Sequence, residues 1–451
     1  MLVYNDKGIS MSQTKYKFTR IYTFLFAVCL FLFQNCRPEV NNDQFYMPAE
    51  FEQQDAVWMG CGGNDEFRQV RSDIVKELLP YVQIRIISQS DSLLKICKDF
   101  LQSDHINTNL IQFDIMKDNE FWIRDHGATF VVNKFGKLKV IDFEWANYGY
   151  DEWLKNYYYG DEIQVQNVLN KNPETQKSHI DSLMGILLDL TVEKSWIKLE
   201  GGMIEVNGKG TMLLNEPLTL NRNKGATKQT LEAEFERVLG TTQFIWLQDG
   251  LVEDPQICQT ITKGYIAFGT GGHIDEYARF SDPKTILLAW VSEEEKNANP
   301  INQMNYERMH INYQILKNSR DVEGHKFKII KVPLPDPIIQ KVQINKEDEW
   351  DAYYNVPELM FKASDGWKAG DTANRVASAS YLNYFISNQL ILLPTYIKSG
   401  SSIQKENQVK NIFVKAFPNR KIVFINALPL NWRGGGIHCA TQQQPSRQIT
   451  P

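Results

Sequence analysis

Two periodicities run through the chain from about residue 47 onward. Short apolar runs with β character recur at VQIRIIS (82–88), TFVV (129–132), LKVIDF (138–143), GTMLL (210–214), FIWL (244–247), YIAFG (265–269), TILLAWV (285–291), FKIIKV (327–332), QLILLP (389–394) and KIVFIN (421–426). Between them, EFRQVRSDIVKELLPY (66–81), LEAEFERVL (231–239) and ENQVKNIFVKAF (406–417) place apolar residues at helical spacing along one face. Alternation of such runs predicts an α/β chain. Strands outnumber helices, and some follow one another across tight polar turns such as KFG (134–136) and NG (207–208). A plain doubly wound sheet has no need of so many hairpins. No sequence repeat accompanies them, so any internal repetition is structural.

Two segments break the pattern. Residues 144–172 and 346–375 are crowded with aromatics and acids and poor in strand character. Segments of that kind are expected as a lid and a second flap. The N-terminus is different again. Lys15, Lys17 and Arg20 precede IYTFLFAVCLFLF (21–33), too short for an ordinary membrane span and shaped like the apolar region of a signal peptide. Met11 is an alternative start. Cys36 directly after this run resembles a bacterial lipoprotein cleavage site, although Gln34 and Asn35 replace the usual small residues. The expected organisation is a leader over 1–36, a polar tether over 37–46 and a single catalytic domain over 47–451. The folded part is expected outside the cytoplasm, with the membrane reached only through the leader or a lipid on Cys36.

The bulk numbers narrow the function. The chain has 451 residues, 43% of them hydrophobic, enough for a large core. A net charge of -5 and the lack of any long Lys/Arg block argue against nucleic acid as a partner. Of six cysteines, Cys29 and Cys36 belong to the leader. Cys61, Cys97, Cys258 and Cys439 are too sparse for a disulfide framework. Neither CxxC nor HExxH occurs, so a structural zinc site has little support.

Four motifs pair polar residues with glycine or strand ends: FWIRDHG (121–127), KLEGGMIEVNGKG (198–210), GTGGHIDEYARF (269–280) and GGGIHCATQQQP (434–445). Each has a plainer structural reading on its own. Arg124 and Asp125 could pair with each other to satisfy a buried charge. Glu200 could be an exposed acid at a tight turn. His273 and Asp275 are two apart and would share one side of a strand, and a single histidine there is more often structural. A single buried cysteine is more often a small apolar side chain than a nucleophile. Taken together they supply a thiol, an imidazole and three carboxylates. A thiol with a distant histidine suits nucleophilic catalysis. The surplus of acids suits a cationic, planar guanidinium, whose N–H fork fits carboxylates bidentately. His438 adjoins Cys439 and, on a strand, would point to the opposite face.

These motifs, with MPAEFEQQDAVWMG (47–60) and ASYLNYFISNQLILLP (379–394), resemble in content and order the agmatine deiminase and Porphyromonas-type peptidylarginine deiminase family over nearly all of 47–445. The resemblance implies the pentein fold, a five-bladed pseudosymmetric α/β propeller with its site on the central axis. It implies Cys439 as nucleophile, His273 as general acid/base, Glu200 as the acid that orients it, Asp125 and Asp275 as the grip on a guanidinium, and Trp122 as an aromatic wall. It implies no metal and no organic cofactor.

The partner is then a small guanidino compound or a C-terminal arginine of a peptide. The peptide enzymes of this kind use paired arginines after the WxRDxG strand, and VIDFEWANYGYDEW (140–153) has none. Glu144, Asp151 and Glu152 with Trp145, Tyr148 and Tyr150 would suit a cationic distal end, which favours agmatine. Export of the chain points the other way, toward peptide or protein substrates. A binding protein on the same fold, without catalysis, is the third possibility; the intact set of Cys, His and three acids argues against it.

Overall fold

In a computed structural model of the chain, residues 44–116, 121–171, 178–346 and 355–447 are described, and Phe45–Pro451 form one compact unit. The leader lies outside the described residues, as do 37–43 of the expected tether. Phe45 and Tyr46, the last two residues expected in that tether, instead form a short strand against Asn133 and Val132.

Every one of the ten apolar runs becomes a strand, and all three amphipathic stretches become helices. The sheets repeat one plan. A first strand runs antiparallel to a second, and a helical crossover then brings a third alongside the second in parallel, as such connections require. The plan appears in Thr129–Asn133, Leu138–Glu144 and Thr191–Lys198. It recurs in Ile204–Val206, Thr211–Asn215 and Gln243–Leu247, in Ala278–Asp282, Thr285–Trp290 and Lys328–Pro333, and in Phe385–Ile386, Leu390–Pro394 and Lys421–Ile425. The remaining unit joins both ends of the unit. Gln442–Pro445 pairs antiparallel with Gln54–Gly60, which runs parallel to Gln83–Ser88, followed by Ile111–Ile115. These are the five blades of the pentein fold. The last strand, at the edge of this sheet, ties the C-terminal end of the chain to the first blade.

A sixth sheet of five strands combines Gln256–Thr262 and Tyr265–Thr270 with Ile339–Asn345, Asn355–Pro357 and Thr372–Val376. It takes up the end of the segment expected as a second flap, whose residues 347–354 lie outside the described ones. The segment expected as a lid is helical at Tyr150–Tyr157 and Glu162–Lys171.

The crossover helices start with side-chain caps that satisfy their free N–H groups. Asn64 accepts from Phe67 N, Asn299 from Asn302 N and Ser402 from Lys405 N. Helix Pro300–Asn318 buries Asn302, Asn305 and Asn312 among its apolar residues. Asn305 accepts from Val252 N at 2.9 Å and Asn312 from Gln248 N at 2.8 Å, so this helix holds neighbouring loop backbone by hydrogen bonds.

Candidate active site

The same place in each blade supplies the site. Just before the first strand of a blade the chain makes one tight turn, and these turns converge. Ile123–His126 carries Asp125 ahead of Thr129–Asn133, and Glu200 caps Gly201–Met203 ahead of Ile204–Val206. His273 caps Ile274–Glu276, which carries Asp275, ahead of Ala278–Asp282. Asn383 precedes Phe385–Ile386, and Cys439 lies in the turn before Gln442–Pro445. His273, Asp275 and Cys439 are thus on turns, where the sequence pattern places them on strands. Strand alternation is not what orients them or His438; the bend of each turn is.

His273 is fixed from three sides. Its backbone N–H donates to Asp254 at 3.0 Å, and Gly272 N and the Thr270 hydroxyl bond the same carboxylate. Gly272 has φ +99, a left-handed value that a side chain would strain. The imidazole Nε2 donates to Glu200 Oε2 at 3.2 Å, and Nδ1 stands 3.6 Å from Asp125 Oδ1. Glu200 in turn accepts from Arg222 Nε at 3.2 Å through both oxygens. Burial alone would raise the Glu200 pKa, but Arg222 and His273 outweigh it and hold the carboxyl below its ordinary value. Burial likewise opposes a charge on His273, yet Asp125, Glu200 and Asp275 prevail and raise its pKa to about 9. At neutral pH the ring is an imidazolium.

Asp125 accepts from Gly202 N at 3.1 Å and from the Tyr148 hydroxyl at 2.9 Å. Burial, countered by His273 and reinforced by Asp275 and Glu200, lifts its pKa to about 6. The Arg124–Asp125 pairing that the sequence allows does not form. Arg124 turns away to Glu50 at 3.0 Å and to Gln443. Asp275 Oδ2 accepts from His438 Nδ1 at 2.7 Å. His438 and His273 overcome the effect of burial and lower the Asp275 pKa. A Cβ on Gly202 would come 2.5 Å from His273 Nδ1 and 3.1 Å from both Asp125 Oδ1 and Asp275 Oδ2. The three groups therefore surround one small space that only glycine leaves open. His273 Nδ1 and Asp275 Oδ1 are buried without a hydrogen-bond partner among the described residues. That arrangement is costly unless a ligand's polar atoms meet them.

Cys439, 2% exposed, donates to Asp275 Oδ2 at 3.6 Å. Burial, Asp275, Asp125 and Glu276 push its pKa well above that of an ordinary thiol. The Asn383 amide donates to Cys439 Sγ at 3.1 Å and to Glu276 Oε1 at 2.8 Å, and its oxygen accepts from His438 N at 2.9 Å. Burial and the carboxylates of Asp275, Asp254 and Glu253 raise the Glu276 pKa well above its ordinary value. Trp122 closes one side, with Gly435 so near that a Cβ there would meet its ring at 2.7 Å. Asp275, Glu276 and Cys439 bring ligating atoms within 4.8 Å of one another, a set that a thiophilic divalent ion could enter.

Several of these residues escape sequence reasoning. Glu50 lies 2.7 Å from His438 Nε2 and accepts from Arg124, Arg279 and Gln443, tying the floor of the site together. It lies in MPAEFEQQD, and Asn383 lies in ASYLNYF; both motifs carry the family resemblance, but neither shows a glycine or strand-end signal at that residue. Arg222 sits on a helix with nothing nearby to mark it. Tyr148 stands out in the sequence as part of the lid. In the structure its hydroxyl reaches Asp125 and its N–H donates to Glu200 at 2.9 Å. The acids expected to serve a cationic distal end, Glu144, Asp151 and Glu152, line a cleft of about 610 Å³ together with Lys155, Lys198 and Lys224. Arg222 lines it as well, so basic groups outnumber acids by four to three and the cleft itself carries no preference for a cation.

The fold and this ring of acids around a thiol and an imidazolium define a guanidino-group-modifying enzyme of the pentein type. The sequence profile of the Porphyromonas-type peptidyl-arginine deiminases matches residues 46–445, and the chain belongs to that family. Among curated relatives, an agmatine deiminase of Pseudomonas syringae pv. tomato is 28% identical over 90% of this chain and 96% of its own length. One from Pseudomonas putida is 26% identical with the same coverage. The structure of an agmatine deiminase of Enterococcus faecalis superposes with a TM-score of 0.67 at 23% identity, covering 90% of this chain and 97% of that one, which shows the shared fold.

Proposed function

We propose that the chain hydrolyses the guanidinium of agmatine to a ureido group, giving N-carbamoylputrescine and ammonia. The observation that carries this reading is the single small space bounded by Asp125, Asp275 and His273 beside the Cys439 thiol. The curated agmatine deiminases, matched along nearly their whole length, support the choice of substrate. So does the absence of arginine from 140–153.

The chemistry follows from the charges. Asp125 and Asp275 hold the planar guanidinium through its N–H fork. In the free protein the thiol is held protonated, because burial and the neighbouring acids disfavour a thiolate. The arriving cation reverses that balance, and the thiol proton is lost to solvent. The thiolate attacks the central carbon, and His273 gives a proton to the departing ammonia. An amidino-thioether on Cys439 remains. His273, now neutral, takes a proton from water, which adds to the same carbon. Collapse of that adduct expels the Cys439 thiolate and releases the ureido product. Glu200 and Arg222 keep the imidazole aligned through both steps. No step is routed through a metal or cofactor.

The leader sequence makes this an exported enzyme, free or held by a lipid on Cys36; that part of the proposal rests on residues 15–36 of the sequence. Export also favours peptidylarginine as substrate. A colorimetric assay of ureido product with agmatine, free arginine and a peptide ending in arginine, side by side, decides between them. Agmatine is expected to lead by about tenfold or more in kcat/KM. A lead for the peptide overturns the substrate, and no turnover of any of the three overturns the reaction.

A further inference from the structure

Away from the axis, two other thiols meet. Cys61 follows strand Gln54–Gly60, and its N–H donates to Ile87 O at 2.8 Å, which fixes it to the sheet. Cys97 is one of the two residues that helix Asp91–Ser103 fully buries. Both lie in one apolar cluster, at 0% and 1% exposure, close enough for each thiol to perturb the other. Arg71, itself buried, donates through Nη1 to Cys97 Sγ at 3.7 Å and through Nη2 to Gly62 O, beside Cys61. The Cys61 thiol lowers the Cys97 pKa, burial opposes, and Arg71 adds to the lowering, leaving Cys97 at about 7. The pair therefore has an attacking sulfur and a resolving one.

We propose that Cys61 and Cys97 form a disulfide when the chain folds in the presence of a disulfide donor, either a low-molecular-weight disulfide or a disulfide-carrying oxidoreductase. The Cys97 thiolate attacks one sulfur of the donor, expelling one donor thiolate and forming a mixed disulfide. Cys61 loses its proton and attacks the Cys97 sulfur, closing the intramolecular bond and expelling the second donor thiolate. The pair gives up two electrons and two protons, and the donor is reduced to two thiols. The bond joins the end of a central strand to the helix that covers it. It restrains the unfolded chain across residues 61–97 and so raises stability. An exported chain meets such donors while it folds, before the two thiols are buried.

The test uses the whole chain, unfolded and refolded in glutathione buffers from reducing to oxidising, so that burial does not limit access. After acid quenching, alkylation in denaturant and digestion, mass spectrometry follows all the thiols. The expected result is a linked peptide containing Cys61 and Cys97, while Cys258 stays alkylated, with Tm several degrees higher in the oxidised form. Cys61→Ser is expected to leave Cys97 as a mixed disulfide with glutathione. Recovery of Cys61 and Cys97 both alkylated, or both only as mixed disulfides, in the most oxidising buffer overturns the proposal.

Discussion

Cys439 has a surrounding that, in the free protein, is hostile to its own reactive form. Burial, Asp275, Asp125 and Glu276 all disfavour the thiolate. A bound guanidinium brings positive charge against those acids and offsets their effect. The thiol is thus activated by the substrate it attacks, which protects it from other electrophiles when the site is free. The pH dependence follows with its sign. Asp125 must be ionised to grip the cation, so kcat/KM falls as pH drops through about 6. His273 must be protonated to release ammonia, so kcat/KM falls as pH rises through about 9. A bell with limbs near those values is expected from steady-state rates across pH; a profile flat from 5 to 7 would remove Asp125 from the grip. Asn383 is the residue-scale surprise. Its amide donates to Sγ at 3.1 Å and is held in that orientation by His438 N. Asn383→Ala is expected to lower kcat by about 10²-fold or more, as loss of a fixed donor to a reacting anion does, with a smaller change in KM. An unchanged kcat would make Asn383 a packing residue only.

At the scale of elements, the tight turn before each blade's first strand is the working unit. Its side chain lies where a strand would have alternated away from the axis, which is why period-two reasoning found the right residues but the wrong local geometry. The ten apolar runs were legible because their strands pack wholly or partly against apolar neighbours. Gln442–Pro445 was not legible, since three glutamines read as loop. Their polar partners explain them: Trp58 Nε1 donates to Gln444, while Gln442 and Gln443 donate to Ala128 O and Glu50. Helix Pro300–Asn318 was missed for the same reason, because its buried asparagines interrupt the apolar stripe. Paired acids and glycines revealed the Cys, His and carboxylates; Glu50, Asn383 and Arg222 act through bonds that only the closed ring brings about. A chain ended at Thr441 loses the closing strand. It is expected to forfeit a large part of the roughly 5–15 kcal/mol that keeps such a domain folded, read as loss of a cooperative thermal transition. A Tm within a degree or two of the full chain would contradict the closure.

At the scale of the whole molecule, five equivalent blades explain why residues as distant in sequence as Asp125 and Cys439 meet. Each blade contributes one turn to a shared axis, and the rest of the blade serves to hold that turn still. Two left-handed residues, Asn147 at φ +48 and Tyr148 at φ +51, carry the lid segment across the same axis and bring the Tyr148 phenol to Asp125. Such strain is tolerated where surrounding contacts fix it, and Glu200 and Gln256 bind the backbone on either side. The central claim is that Cys439 becomes bonded to the substrate's guanidinium carbon. The direct measurement is mass spectrometry of the Cys439 peptide after acid quenching of the enzyme during turnover of agmatine. The account predicts an amidino-thioether on Cys439 that chases away as substrate is exhausted, and none with Cys439→Ala, which also makes no ureido product. Turnover by Cys439→Ala, or full turnover with Cys439 never modified, would contradict it.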